Sequence, residues 1–276
     1  MIVSLWRWPR QHNTSVPYKS ESVANTDLLD LLEAQAGIVC LVGAGGKKTT
    51  MYRLAELHSG KVAITTTVHT PPFPRRLDAL NIVEPGESLL RQVLEHADRH
   101  QRIAYATPST KTARLGPVPP EVVEQIHVEA HYDLTLVKCD GARLRLMKAP
   151  GEGEPALPLH ATTILPVISI RVVGRPLSDR IAHRVDLISR ITGARPGEII
   201  THEHIARLLV SEEGGLKGVG RARPIPMINM VENREQLELA TRAGERALEL
   251  RPDLRRILLT AMTREEPVVR VISQEG

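Results

Sequence analysis

Eight consecutive residues carry the strongest chemical signal in the chain: Gly43-Ala44-Gly45-Gly46-Lys47-Lys48-Thr49-Thr50. They follow an apolar run, IVCLV, and open a stretch with helical spacing. Glycines at a strand-to-helix junction let backbone N–H groups converge on an anion. A lysine at the start of the helix adds a point charge. Two lysines at a helix N-terminus oppose the helix dipole unless an anion sits there. The chemistry implied is phosphate binding in a P-loop, with Gly43 to Thr50 as the cradle and Lys47 as the neutralising group.

The spelling departs from G-x-x-x-x-G-K-[ST]. With Lys47 as the phosphate lysine, Lys48 stands where a hydroxyl ordinarily holds Mg²⁺. Thr49 is then displaced by about 100° around the helix. With Lys48 as that lysine, Thr49 takes the metal position but Lys47 replaces a glycine. A dinucleotide-binding turn fits less well. Its third glycine falls on Lys48, and the next strand ends in Thr65, Thr66 and Thr67 rather than in an acid some twenty residues on.

Other residues join this site as expectations. Asp140 closes the run LTLVKC and precedes Gly141, where a strand-end carboxylate holds Mg²⁺ with Thr49. Asp140 and Lys47 are thus the candidate catalytic groups, and Thr49 and Asp140 the candidate metal ligands. The hydroxyls of Thr66 and Thr67 are within the range expected for phosphate. Alternation along a strand prevents Thr65, Thr66 and Thr67 from all serving. Asn229-Met230-Val231-Glu232 is a degenerate form of the N-K-x-D signature, with Leu259-Thr260-Ala261 after the next helix, and so Asn229 and Glu232 are expected to face the base. His202 and His204 lie two apart, pointing different ways on a helix, and carry no metal claim. Cys139, in a strand, reads as inert packing.

These residues need a scaffold, and its outline is legible. Apolar or β-branched runs at 38–42, 62–67, 102–106, 134–139, 164–172, 224–231 and 255–262 read as strands. Helical patterns fall at 47–58, 86–99, 120–130, 177–191, 201–212 and 233–249, with a further helix capped by Thr26. This alternation implies right-handed βαβ crossovers: an α/β, three-layer P-loop NTPase-like fold with a mostly parallel sheet. Residues 1–25 read as an N-terminal extension without fixed structure, and 26–276 as the P-loop α/β domain, less regular over 141–224.

Composition narrows the classes. Of 276 residues, 42% are apolar and 25% charged, as in a globular protein with a full core. A net charge of +4 without a dense basic run argues against a nucleic-acid partner. No apolar run is long enough to span a bilayer. Two cysteines without framework spacing fit the cytoplasm.

The chain resembles the YqeC family, accessory proteins associated with selenium-dependent molybdenum hydroxylases and molybdenum cofactor biosynthesis. The resemblance rests on VGAGGKKTTMYRLA (42–55), similar to a VGGGGKTS loop and helix, and on ITTTVH (64–69). It continues through CDGARLRLMKAP (139–150), EPALP (154–158), GRPL (174–177), HR (183–184) and LKG (216–218). A gapless match favours Lys47 as the phosphate lysine and makes Lys48 the departure from the family's Ser/Thr. The resemblance implies a P-loop protein with a nucleotide-dependent maturation role; together with the loop, Thr49 and Asp140 the expectation is binding of GTP or ATP with Mg²⁺ and slow hydrolysis. It also implies maturation proteins or a client hydroxylase as partners. Two rivals stand beside this reading. One is a kinase or ligase with Arg143 and Lys148 as anion contacts. The other is a non-hydrolysing carrier of a phosphate-bearing cofactor such as the molybdopterin nucleotide, to which the extra charge of Lys48 is suited.

Overall fold

The computed structural model of the chain describes residues 25–274. The expectation for residues 1–25 lies, Asn25 apart, outside the described residues. The first helix, α1 (Asn25–Leu31), includes Thr26, which therefore lies within the helix and is not its cap.

A ten-stranded sheet forms the middle layer. Strand β1 (Gly37–Gly43) lies centrally, between β5 (Leu134–Lys138) and β7 (Thr163–Ser169), and is parallel to both. Beyond β5 come β2 (Val62–Thr66), β4 (Arg102–Ala106) and β3 (Leu80–Val83), all parallel. Beyond β7 come β10 (Met227–Asn229) and β11 (Arg256–Thr260), also parallel. The last strand, β12 (Val268–Ser273), returns antiparallel along β11. Two-residue strands complete the set: β6 (Met147–Lys148) pairs β8 (Ala182–His183), and β9 (Arg223–Pro224) pairs β7.

Five consecutive buried residues, Ile38 to Val42, make β1 a strand covered on both faces. Alternation sends Val39 and Leu41 into one core with α1 and α2 (Lys47–Leu57). Ile38, Cys40 and Val42 enter the opposite core, with α3 (Gly86–His96) and α4 (Pro120–Glu129). On that same side, further along the sheet, α6 (His202–Val210) and α7 (Arg234–Leu250) pack against Ile168, Ile228 and Leu259, with α5 (Val185–Thr192) beside α6. Truncating one such fully buried leucine, Leu41→Ala, costs about 2–5 kcal/mol because the close-packed layers cannot collapse onto the gap.

The structure shifts several expected boundaries. The run 164–172 is strand only to Ser169, whose Oγ accepts from the Arg171 N–H and starts a 3₁₀ turn. The helix expected over 177–191 begins at Val185, after Arg184 in a left-handed conformation (φ 68°). The less regular 141–224 stretch supplies β7, a direct neighbour of β1. Strands β3 and β12 are additions. Among the described residues no helix is long and apolar enough to cross a membrane.

Candidate functional site

The ends of β1, β2, β5, β7 and β10 meet at the carboxyl edge of the sheet, where ligands of parallel α/β sheets bind. The glycine loop crosses this edge toward β7 and β10. A Cβ on Gly45 would stand 2.6 Å from the Ser169 backbone nitrogen. At Gly46 it would stand 2.1 Å from the Asn229 Nδ2. Both glycines have positive φ, 91° and 131°. A loop this close to two strands, in this conformation, requires glycine.

Asn229 is the brace. Its Nδ2 donates to the Gly45 carbonyl at 2.9 Å, and its Oδ1 accepts from Thr260 Oγ1 at 3.0 Å and from the Met262 N–H at 3.3 Å. Buried and hydrogen-bonded at both ends, the Asn229 side chain holds the loop in place. Glu232 ion-pairs with Arg171 at the surface. The structure thus places Asn229 as the brace of the loop, the supporting part an Asn plays in the N-K-x-D signature, and Glu232 at the surface.

Lys47 is the first residue of α2. Its Nζ lies 2.7 Å from Asp140 Oδ1 and also donates to the Gly43 carbonyl. The other carboxylate oxygen lies 2.9 Å from Lys148 Nζ and accepts the Gly43 N–H at 2.8 Å. Lys148 in turn meets Glu154 at 2.6 Å, and Glu154 meets Arg184 at 2.7 Å. Burial raises the Asp140 pKa, but Lys47 and Lys148 reverse this and hold the carboxyl below the usual carboxylate range. Glu154 goes the same way: its Arg184 and Lys148 partners overcome burial and bring it down to about 2. Burial lowers Lys47, with Asp140 opposing.

This network engages two of the expected site residues. The Asp140 carboxylate, 2% exposed, pairs with two ammonium groups and one amide and does not line the cavity over the loop. Lys148 is sealed between carboxylates and is not an acceptor contact. Thr66 and Thr67 likewise turn from phosphate to backbone. The Thr66 hydroxyl donates toward the Val68 and Lys138 carbonyls, and that of Thr67 to the Ala156 carbonyl at 2.7 Å. Thr65 bonds the Tyr105 carbonyl, and Thr50 the Gly46 carbonyl at 3.2 Å.

A cavity of about 450 Å³ opens over the loop. Gly45, Gly46, Lys47, Lys48 and Thr49 form one wall, and the segment from Gly141 to Leu146 another. Ala44 is buried beneath the loop, its N–H donating to the Val167 carbonyl. Among the described residues six cations line the cavity, namely Lys47, Lys48, Arg114, Lys138, Arg143 and Arg145, and no carboxylate does. Lys138 is the residue the sequence reading passed over. It ends β5, is 7% exposed, and its ammonium has no hydrogen-bond partner among the described residues. Burial first, then the charge of Lys47, pushes it down to about 7. The signal was present in LTLVKCD: a charged residue inside a strand buried on both faces is rare unless it is paired or used. Burial, then Arg114 and Arg76, lowers Lys48.

The remaining candidates behave as packing. Cys40 and Cys139 are buried neighbours, with burial pushing the Cys40 thiol up. His204 Nδ1 accepts the Thr201 N–H at the start of α6. Among the described residues no group of three or more His, Cys, Asp or Glu side chains is placed to hold a metal ion.

The family model described as YqeC protein matches residues 39–186. The chain is also 29% identical over 188 residues to a protein of Escherichia coli (strain K12) described as uncharacterized protein YqeC, covering 66% of this chain and 71% of that one. No solved structure matches. The matched region holds the loop, Lys138, Asp140, Lys148, Glu154 and Arg184, and excludes Asn229. With more than half its length inside the family model, the chain belongs to the YqeC family.

Proposed function

We propose that the protein binds the phosphate chain of a nucleotide, ATP or GTP, in the cavity above the first turn of α2, as a P-loop-type site. The observation that carries this reading is the buried, unpartnered ammonium of Lys138 in a cavity walled by five further cations and no carboxylate. A buried charge without a partner costs several kcal/mol, and an arriving polyanion relieves that cost. The amides at the N-terminus of α2 add their dipoles. Lys47 has three donors and spends two, on Asp140 and Gly43, which leaves one for phosphate. A cavity of this volume lies within the range for small-molecule sites.

Binding without rapid turnover is the form of activity best supported. Hydrolysis needs a group to position and deprotonate water, and the carboxylate bonded to the loop, Asp140, is held by two lysines. The donor set does not suit Mg²⁺ either: Thr49 is the sole loop hydroxyl on the cavity, and Asp140 is neutralised. In the setting implied by the family resemblance, the binder serves maturation of a selenium-dependent molybdenum hydroxylase or its cofactor. A phosphate-bearing cofactor such as the molybdopterin nucleotide would fit the same basic wall.

Titration calorimetry with ATP, GTP and tripolyphosphate tests the core of this. We expect saturable binding of all three, weakened at least tenfold, about 1.4 kcal/mol, in Lys47→Ala. Heats indistinguishable from dilution for all three would overturn the reading.

A further inference from the structure

Given a site that takes a phosphate chain, on which this inference rests, the kind of charge that the site supplies selects the form of the ligand. In nucleotide sites built around a divalent ion, a hydroxyl and a carboxylate face the phosphates and bring the cation with them. Here both positions are cationic or closed. Lys48 occupies the residue after the loop lysine and lines the cavity. Asp140 is turned into the protein by Lys47 on one oxygen and by Lys148 and the Gly43 N–H on the other. Two residues earlier in the chain, Lys138 lies buried, without a hydrogen-bond partner among the described residues, and lines the cavity.

We infer that ammonium groups take the place of the metal: the protein binds a metal-free polyphosphate, with Lys48 and Lys138 balancing the charge that Mg²⁺ would otherwise carry. The three cations Lys47, Lys148 and Arg184 already exceed the two carboxylates Asp140 and Glu154, so the inner cluster has excess positive charge before Lys138, Lys48 and the cavity arginines are added. Two unit charges about 4 Å apart interact by about 4 kcal/mol at an effective dielectric constant near 20, and a divalent ion doubles the repulsion from each lysine. The same field favours a tetra-anion without its metal. The ligand class is therefore a free nucleoside polyphosphate or an organic polyphosphate, not its magnesium complex.

The test compares the unaltered full chain with ATP and with tripolyphosphate, in EDTA and in excess Mg²⁺, by calorimetry. We expect binding in EDTA as tight as in Mg²⁺ or tighter by threefold or more. Lys48→Thr should lose tenfold in EDTA and become tighter when Mg²⁺ is added. Lys138→Met should lose tenfold in both buffers. Binding of the unaltered protein seen only with Mg²⁺, or tightened tenfold by it, would overturn the inference while leaving the phosphate-chain reading standing. An absence of binding in both buffers would remove both.

Discussion

The two halves of the sheet's carboxyl edge treat the glycine loop differently. On the β7–β10 side everything is satisfied: Gly45 and Gly46 lie against Ser169 and Asn229, and each end of the Asn229 amide has a protein partner. On the β5 side charge is left over, because Lys138 ends its strand without a partner beneath a cavity lined with cations. One half fixes the geometry of the loop. The other half is costly to the ligand-free fold and is relieved by an anion. Stability and binding are thus assigned to opposite sides of the same eight residues, and substitutions should separate them.

The largest effect is expected where the two sides meet. Asp140→Asn leaves Lys47 and Lys148 buried beside a neutral group, and should destabilise the fold by about 3–5 kcal/mol in denaturant unfolding. A loss below about 1 kcal/mol would mean that the carboxylate is dispensable to the fold. Next is Gly46→Ala, on the bracing side. Its φ of 131° and its contact with Asn229 should cost about 2–3 kcal/mol and weaken tripolyphosphate binding as well. The cationic side should respond with the opposite sign. Lys138→Met removes an unpaired buried charge, so the ligand-free protein should gain about 1–2 kcal/mol in a thermal melt while its affinity for tripolyphosphate falls. A variant that loses both stability and affinity would collapse the division between the two halves.

The smallest effect is a pH dependence. Glu154 titrates at about 2 in the fold and near 4.5 when unperturbed, so its contribution is complete above about 4.5 and is lost as the pH falls toward 2. Glu154→Gln should flatten unfolding free energy against pH in that window. It should also lower stability at neutral pH by less than about 1 kcal/mol, since Glu154 is partly solvated. An unchanged slope would show that the Lys148–Glu154–Arg184 chain is not coupled to folding.

Much of the scaffold was legible because its signals are local. Continuous apolar runs give β1 and β5, and the glycines place the strand-to-helix junction. Short or irregular pieces were not. LNIV, now β3, is four residues on the sheet edge beyond a proline-rich loop, and β6 and β8 have two residues each. Within the site, the loop could be read from residue type, whereas the use of each polar group could not. Asn229 and Asp140 both stand where a ligand contact is plausible, yet each finds its partner far along the chain. Asp140 bonds the Gly43 N–H 97 residues away, and Asn229 bonds Gly45 across 184. Lys138 could have been found from a lysine inside a buried strand. The commitment of Asp140 depends on Lys148, which the sequence places on a separate two-residue strand.

The central position of β1 sets an order of assembly. Its partners β5 and β7 are made only after residues 134 and 163, and the loop is finally clamped by Asn229. During synthesis the loop therefore lacks its Asn229 clamp until more than four-fifths of the chain has emerged. Such distant pairing slows folding. A nascent chain halted before β10 would carry the whole phosphate-loop sequence and still lack the contact that holds it in shape.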